Sequence, residues 1–305
     1  CIGWGKSPVF IKASNPNTTG SNRSFFGRVF DISYDGATLV VGAPFEDGFA
    51  MPDPNNTCVD FALNKECIRD SGAVYVYSCD KDPANPQGPC ISWTQTPQYF
   101  KAPLVLDGHN YGNAVALGQN ANSFTMAVGV PFDNADISNG ATQTCNTTGP
   151  TCIPFAGNVY VYTCVLNGKN QCSVGGWSQI PTYVIASNPG NGDEFGFQIA
   201  MSRDGTTMAI ASPNEDGGLG AGSDNICEPS NSGSLSFCTV DSGAIYLYQC
   251  NKNQAGLCDN WNVVPAYLKA TNPGFIERIG DILSGFAISA EGSMVVVGSY
   301  GENGA

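Results

Sequence analysis

The sequence predicts an all-β fold in which one unit of four antiparallel strands occurs about four times. Three observations lead to this prediction: a recurring hairpin motif, a recurring cysteine pattern and a composition rich in turn residues. The chain has 305 residues, with 37 glycines and 19 prolines, and only 13% of its residues are charged. Such a composition is typical of many short strands joined by tight turns.

The hairpin motif is clearest in residues 25–48. There an aromatic residue and a glycine precede an alternating strand, residues 34–36 (Tyr-Asp-Gly) form the turn, and a second strand ends in Val-Gly-Ala-Pro. Asp-Gly between two strand-like runs favours a hairpin, because glycine supplies the positive φ that the turn needs. Further copies begin at Tyr111, Phe195 and, in a more divergent form, Gly285.

Two more strands complete each unit. A segment that opens with tryptophan and continues with proline, an aromatic residue and alanine forms the strand before the hairpin. A tyrosine-rich segment such as residues 74–77 forms the strand after it, since alternating β-branched and aromatic residues favour a strand packed on both faces. We expect the four tryptophans to fill gaps between units: Trp4, Trp93, Trp177 and Trp261.

Four-stranded units of this kind cannot bury their faces alone, so copies must pack against one another. Their radial repetition predicts a disulfide-stapled, β-propeller-like array of about four repeats in a single domain, residues 1–305. The repeats are expected at about 1–89, 90–171, 172–257 and 258–305, with the last one incomplete.

Twelve of the 13 cysteines fall into three sets of four that follow the repeat. This regularity indicates a disulfide framework made in an oxidising compartment, which predicts a secreted or cell-surface protein. Zinc is disfavoured because no gap has the C-x-x-C spacing and the chain has one histidine. The expected pairs are Cys58–Cys67, Cys79–Cys90, Cys145–Cys152, Cys164–Cys172, Cys227–Cys238 and Cys250–Cys258.

The order Phe-Gly, alternating strand, Val-Gly-Ala-Pro and Gly-x-Val-Tyr-Val-Tyr resembles the FG-GAP repeat of integrin-α-type propellers. The resemblance covers essentially the whole chain and implies a propeller fold, but it does not by itself imply an activity. Integrin-type blades carry a calcium loop within the hairpin, whereas residues 34–36 and their counterparts here have too few oxygen ligands for calcium. We therefore expect no cofactor, with calcium as the alternative.

An acidic pair follows each hairpin. These residues are either calcium or sugar ligands on one rim or Asx turns that cap their own backbone, and the turn interpretation is favoured because acidic, glycine-flanked loops readily form turns. The pairs are Glu46-Asp47, Asp133-Asn134, Glu215-Asp216 and Glu302-Asn303.

Catalysis is not expected. His109, the one histidine, is predicted to be a surface-loop residue because no nucleophile motif accompanies it. Sialidase boxes space Asp and Gly differently from residues 33–36 and 202–205, and the five arginines are scattered over the repeats. No carboxylate pair for glycoside hydrolysis can be singled out.

A net charge of −13 argues against nucleic acid or an anionic membrane as a partner. No run reaches the roughly 18 apolar residues of a membrane-spanning helix. The expected partners are N-linked glycans at the acceptor sequons Asn17, Asn22, Asn55 and Asn146.

Cys1 is the cysteine without a repeat-mate. By repeat register its partner would end a tyrosine-rich strand, and the fourth unit stops before such a strand. We expect the missing strand and the partner of Cys1 to come from chain beyond residue 305 or from a neighbouring protomer in a head-to-tail fibre.

The sequence thus favours a non-enzymatic, extracellular, structural or adhesive glycoprotein module, as in a subunit of a surface filament. One alternative is an integrin-like propeller that binds a protein or glycan on its loop rim. The other is a secreted carbohydrate-active enzyme.

Overall fold

The computed structural model describes most of the repeat cores. The described residues form 19 β-strands and no helix. They are residues 9–14, 24–49, 58, 67–82, 84–85, 88, 90–94, 96–137, 145, 151–167, 171–217, 239–261, 265–270, 276–281, 284–299 and 301.

The first sheet is antiparallel and has the order β1-β2-β3, after which β4 and β5 both pair with β3. The last two strands are therefore two pieces of one outer strand. The alternating tyrosine-rich sequence lies in β3, between the hairpin and this outer strand. The strands are β1 (Val29–Ile32), β2 (Thr38–Ala43), β3 (Ala73–Lys81), β4 (Cys90–Trp93) and β5 (Gln98–Phe100).

The second and third sheets repeat this plan, with β10 and β15 as the tyrosine-rich strands. The second sheet contains β6 (Ala114–Gln119), β7 (Ser123–Val130), β10 (Asn158–Leu166), β11 (Cys172–Trp177) and β12 (Thr182–Val184), with a short β8 (Ala135–Asp136) to β9 (Cys152–Ile153) ribbon beside it. The third sheet contains β13 (Gln198–Met201), β14 (Thr207–Ser212), β15 (Ala244–Asn251), β16 (Asn260–Trp261) and β17 (Ala266–Leu268). A fourth, two-stranded sheet contains β18 (Phe286–Ile288) and β19 (Val295–Val297).

The outer strand of each complete sheet comes from the start of the next sequence repeat. The first sheet runs from residue 29 to residue 100, whereas the sequence repeat was expected at about 1–89. The sheets are thus shifted by one strand from the expected repeats. A sequence period gives the length of a unit but not the point at which one sheet ends and the next begins.

Consecutive sheets pack face to face. We call the face that bears Phe30 and Ile32, and its counterparts in later sheets, the leading face; the opposite face, which bears Val40 and Val76, is the trailing face. The leading face of the second sheet packs on the trailing face of the first, and the same contact joins the second sheet to the third and the third to the fourth. The three tyrosine-rich strands are buried because each has a strand on both edges and packing on both faces.

Candidate functional site

The aromatic-Gly and Val-Gly-Ala-Pro motifs meet where one sheet packs on the next. A Cβ on Gly42 would overlap the carbonyl oxygen of Gly112 in the second sheet, and one on Gly129 would overlap that of Gly196 in the third. The two backbones approach so closely that a side chain does not fit. These glycines are therefore requirements of the sheet-to-sheet junction.

The fourth copy of the junction begins at Gly280 rather than at the expected Gly285. Gly280 donates its N–H to the carbonyl of Gly298 at 3.2 Å, as Gly27 does to Gly42 and Gly112 does to Gly129 in their own hairpins. The difference arises because additional residues separate Gly280 from the first strand of the fourth hairpin.

A second set of contacts joins the tips of the hairpins. The N–H of Gln119 in the second sheet donates to the carbonyl of Arg203 in the third at 2.7 Å, and the N–H of Arg203 donates to that of Ala290 in the fourth at 2.8 Å. The guanidinium of Arg203 also lies over the ring of Tyr34 in the first sheet. Hairpin tips from all four sheets therefore meet in one place.

A buried ionic pocket follows the first hairpin. Lys101 Nζ lies 2.5 Å from Glu46 Oε2 and donates at 2.7 Å to both the Ser71 hydroxyl and the Gly72 carbonyl. Tyr99 donates its hydroxyl to the other oxygen of Glu46 at 2.9 Å. Burial lowers the pKa of Lys101, and the Glu46 carboxylate opposes that shift. With three acceptors arranged around it, the ammonium is satisfied as a cation.

The third sheet contains the same ionic pocket. Lys269 Nζ lies 2.5 Å from Glu215 Oε2 and donates to the Ser242 hydroxyl. Tyr267 donates to Glu215 Oε1 at 2.7 Å. In both pockets the acid lies just after the hairpin and the lysine just after the outer strand, so each ion pair ties the end of its outer strand to its own hairpin.

The second sheet replaces this pair, and here the expectation for His109 is wrong. His109 is buried, and its Nδ1 lies 2.8 Å from Asp133 Oδ1. The lysine position is occupied by Ile185, and Asn158 donates to Asp133 Oδ2 at 2.6 Å. The shorter aspartate is thus partnered by a histidine from the loop before the hairpin. The absence of a catalytic motif did not make His109 a surface residue, because its burial follows from its contact with the buried Asp133 carboxylate.

The second residue of each acidic pair caps a distant loop instead of its own backbone. The Asp47 side chain accepts the N–H of Asp70 at 2.9 Å, and Asp216 accepts that of Asp241 at 2.7 Å. Asn134 accepts the N–H of Phe155 at 3.1 Å in the second sheet. The expected Asx turns are therefore replaced by cross-loop caps that fix residues with positive φ. The fourth pair, Glu302-Asn303, lies outside the described residues.

Two carboxyl groups near these caps have shifted pKa values. Burial raises the pKa of Glu194 to about 7, although Arg278 lowers it in part. Burial likewise raises the pKa of Asp216 to about 6. Within the described ranges, no three side chains of the His, Cys, Asp or Glu type converge as a metal site, and no helix is long and apolar enough to cross a membrane.

Five disulfides join cysteines as the sequence pairs them: Cys58–Cys67, Cys79–Cys90, Cys145–Cys152, Cys164–Cys172 and Cys250–Cys258. Such bonds are typical of an oxidising compartment. Other predicted sites lie outside the described residues: Cys227, Cys238, Cys1 and the sequons Asn17, Asn22, Asn55 and Asn146.

Trp177 packs where the second sheet meets the first. Its ring is 6.2 Å from that of Phe100, in the outer strand of the first sheet, and 6.1 Å from that of Phe124, in its own sheet. It therefore fills the gap that the sequence assigns to the tryptophans. Trp261 is also buried, and Trp4 lies outside the described residues.

Neither a protein-family model nor a curated protein matches the chain. The functional argument therefore depends on the junctions and pockets described above.

Proposed function

We propose that this chain is an extracellular structural module, a β-propeller-like array of FG-GAP-type repeats that associates head to tail through its terminal sheet faces. The observation that carries the proposal is a single type of junction, made three times inside the chain, whose two halves are exposed at the ends of the array. In this reading the function is assembly, and catalysis has no part in it.

The exposed leading face belongs to the first sheet. Phe30 is 68% exposed and Ile32 48%, whereas their counterparts Val115 and Leu117 in the second sheet are buried against the first. Burying side chains of this size contributes roughly 1.5–3 kcal/mol each. A trailing face of the same repeat type is therefore the surface that would cover them most favourably.

The exposed trailing face belongs to the fourth sheet. Val296 is 62% exposed, whereas the residues in the same register of the first and second sheets, Val40 and Ala127, are fully buried. The two exposed faces are different surfaces, so a contact between them is heterologous. Such contacts generate rings when the rotation closes and filaments when it does not.

Radial geometry is supported by the hairpin tips. The Arg203–Tyr34 contact links the third sheet to the first across the second, which requires the array to curve strongly on that side. Inner strands that converge on one axis are the arrangement of a propeller. The charged residues of the ionic pockets are buried and satisfied within their own sheets, which favours a structural role for them over contact with a substrate.

Sedimentation velocity over a range of concentrations, with negative-stain imaging, tests the proposal. We expect wild-type chains to form concentration-dependent oligomers or filaments and Phe30→Lys to keep the chain monomeric. Val174→Lys is the matched control, because Val174 is 91% exposed on β11 of the second sheet and so belongs to neither terminal sheet. A wild-type monomer at every concentration, or equal effects of the two substitutions, would overturn the proposal.

A further inference from the structure

We propose that the contact between the third and fourth sheets is a pH-sensitive latch, which holds the fourth hairpin (β18–β19) more tightly at pH 6 than at pH 8. The latch consists of Glu194 and Asp241 on the third sheet and of Arg278 and Asp281 in the segment before β18. Its opening uncovers an apolar face inside the array. The latch goes beyond the proposed assembly, because it operates within a single chain.

A short strip of backbone hydrogen bonds carries the latch. Three N–H groups of residues 276–279 donate to the carbonyls of residues 240–242, in the loop before β15, at 3.0–3.3 Å. A guanidinium nitrogen of Arg278 lies 3.3 Å from Asp241 Oδ2. The side chain of Gln198 in β13 also donates to the carbonyl of Gly280 at 3.1 Å. The latch residues thus lie where the fourth hairpin joins the third sheet.

Docking of the hairpin places one guanidinium among three carboxylates. Arg278 forms its ion pair with Asp241. The partly buried carboxylate of Glu194 is attracted by Arg278, whereas Asp281 and Asp241 both repel it. The ion pairs of the described residues do not include Glu194. When all four groups are ionised, one cation therefore faces three negative charges.

Two further elements pack against Glu194, and both present uncharged groups. Asn214 contacts its carboxylate from the loop after β14. The second sheet contributes residues 154–156 (Pro-Phe-Ala), whose central carbonyl accepts the Glu194 N–H at 3.1 Å. Asp193, next to it in sequence, acts instead on two tyrosines beside the ionic pocket of the third sheet. The charge state of Glu194 is thus set by Asp241 and by the segment before β18.

The charges at this junction are less exposed than those at the first one. There the corresponding loops contribute Arg69 and Asp107, whose side chains are more than half exposed. Those of Arg278 and Asp241 are each less exposed than either. Because water and salt screen covered charges less, a carboxylate without a partner is more unfavourable at the third junction than at the first.

The fourth sheet is held by a small apolar contact with the third. The side chains that reach this contact from β18 and β19 are partly buried, whereas Ala209 and Ile245 beneath them are fully buried. A two-stranded hairpin is at best marginally stable by itself. A change in the charge of the latch can therefore shift the hairpin between a docked state and an open state, in which Ala209 and Ile245 become exposed.

The sign of the pH effect follows from Glu194. In the docked state, burial raises its pKa from the ordinary value of 4.5 to about 7, although Arg278 opposes the shift. In the open state we expect the side chain to return to water and to its ordinary pKa. A proton that is held only in the docked state stabilises docking below pH 7, and this stabilisation is lost as the pH rises. The docking constant should fall about tenfold between pH 6 and pH 8.

Hydrogen exchange followed by mass spectrometry tests the latch in the intact protein. Exchange times at pH 6, 7 and 8 are scaled for the intrinsic exchange rate, and the protection of β18–β19 is compared with that of β14 in the third sheet. We expect the protection of β18–β19 to fall about tenfold from pH 6 to pH 8. The protection of β14 should change little, because local opening leaves the third sheet paired.

Three variants locate the effect. Glu194→Gln should abolish the decrease and keep, at pH 8, the protection that the wild type has at pH 6. Glu291→Gln is the matched control, because Glu291 is an exposed acid in the turn of the same hairpin and should leave the decrease unchanged. Asp281→Asn removes a repelling charge and should move the midpoint of the decrease to lower pH, which a purely structural role does not produce. Constant protection, an undiminished decrease in Glu194→Gln, or an equal decrease in β14 each contradicts the latch.

Discussion

Replacing Lys101 by isoleucine should destabilise the protein by about 3–5 kcal/mol, the range for removing one partner of a buried ion pair. The Lys101 side chain is 1% exposed and that of Glu46 5%, so solvent cannot take over the role of the ammonium. The substitution removes three contacts of the ammonium, while the Tyr99 hydroxyl still donates to the carboxylate. Isoleucine itself suits the position, since Ile185 occupies it in the second sheet.

Guanidinium unfolding followed by tryptophan fluorescence measures the loss. Lys252→Ile is the control, because Lys252 and Asp204 form an exposed pair at 3.8 Å and such pairs contribute about 0–1 kcal/mol. The double variant Lys101→Ile with Glu46→Leu should recover most of the loss, since it leaves no buried charge unpaired. A loss below about 1 kcal/mol for Lys101→Ile would refute the argument that the pocket is held by its charge pair.

Three further predictions concern the junction, a raised pKa and a disulfide. Gly129→Ala should destabilise the fold by more than about 2 kcal/mol in urea unfolding, because its Cβ meets backbone, whereas Gly36→Ala, facing open space, should cost about 1–2 kcal/mol for its positive φ. Glu194→Gln should raise the free energy of unfolding at pH 7. It should also reduce the decrease in that free energy as the pH rises from about 4.5 to 7, because over this range wild-type Glu194 keeps its proton in the folded state and not in the unfolded state. Replacing Cys164 and Cys172 by serine should lower the free energy of unfolding, measured by thermal denaturation, by about 2–3 kcal/mol.

The strands and the disulfides could be predicted because their signals are local. Alternating tyrosines mark β3, β10 and β15, and each observed disulfide closes a loop of 7 to 11 residues beside such a strand or its preceding loop. Glycines of the hairpin motif were visible as a repeat, although the carbonyl that each one faces belongs to another sheet. The facing carbonyl could not be predicted, because it depends on how one sheet packs on the next.

The ionic pockets were missed because their members lie far apart in sequence. Glu46 and Lys101 are 55 residues apart and meet only after the outer strand has paired with β3. A signal was present in the alignment of the repeats. The second sheet, in which Ile185 takes the place of the lysine, also has Asp133 instead of glutamate and the one histidine of the chain. Joint replacement of this kind marks side chains that share a space.

The borrowed outer strand has a consequence for how such a chain can change in length. Deleting or duplicating one whole period from the interior leaves each remaining complete sheet with its four strand positions filled, whichever residue the exchange begins at. In the first sheet, by contrast, a single severed peptide bond between β3 and its outer strand leaves both fragments held to each other by strand pairing, by the Lys101–Glu46 ion pair and by the Cys79–Cys90 disulfide. The outer strand that each complete sheet takes from the next repeat therefore favours both a change in the number of repeats and resistance to cleavage of a single peptide bond.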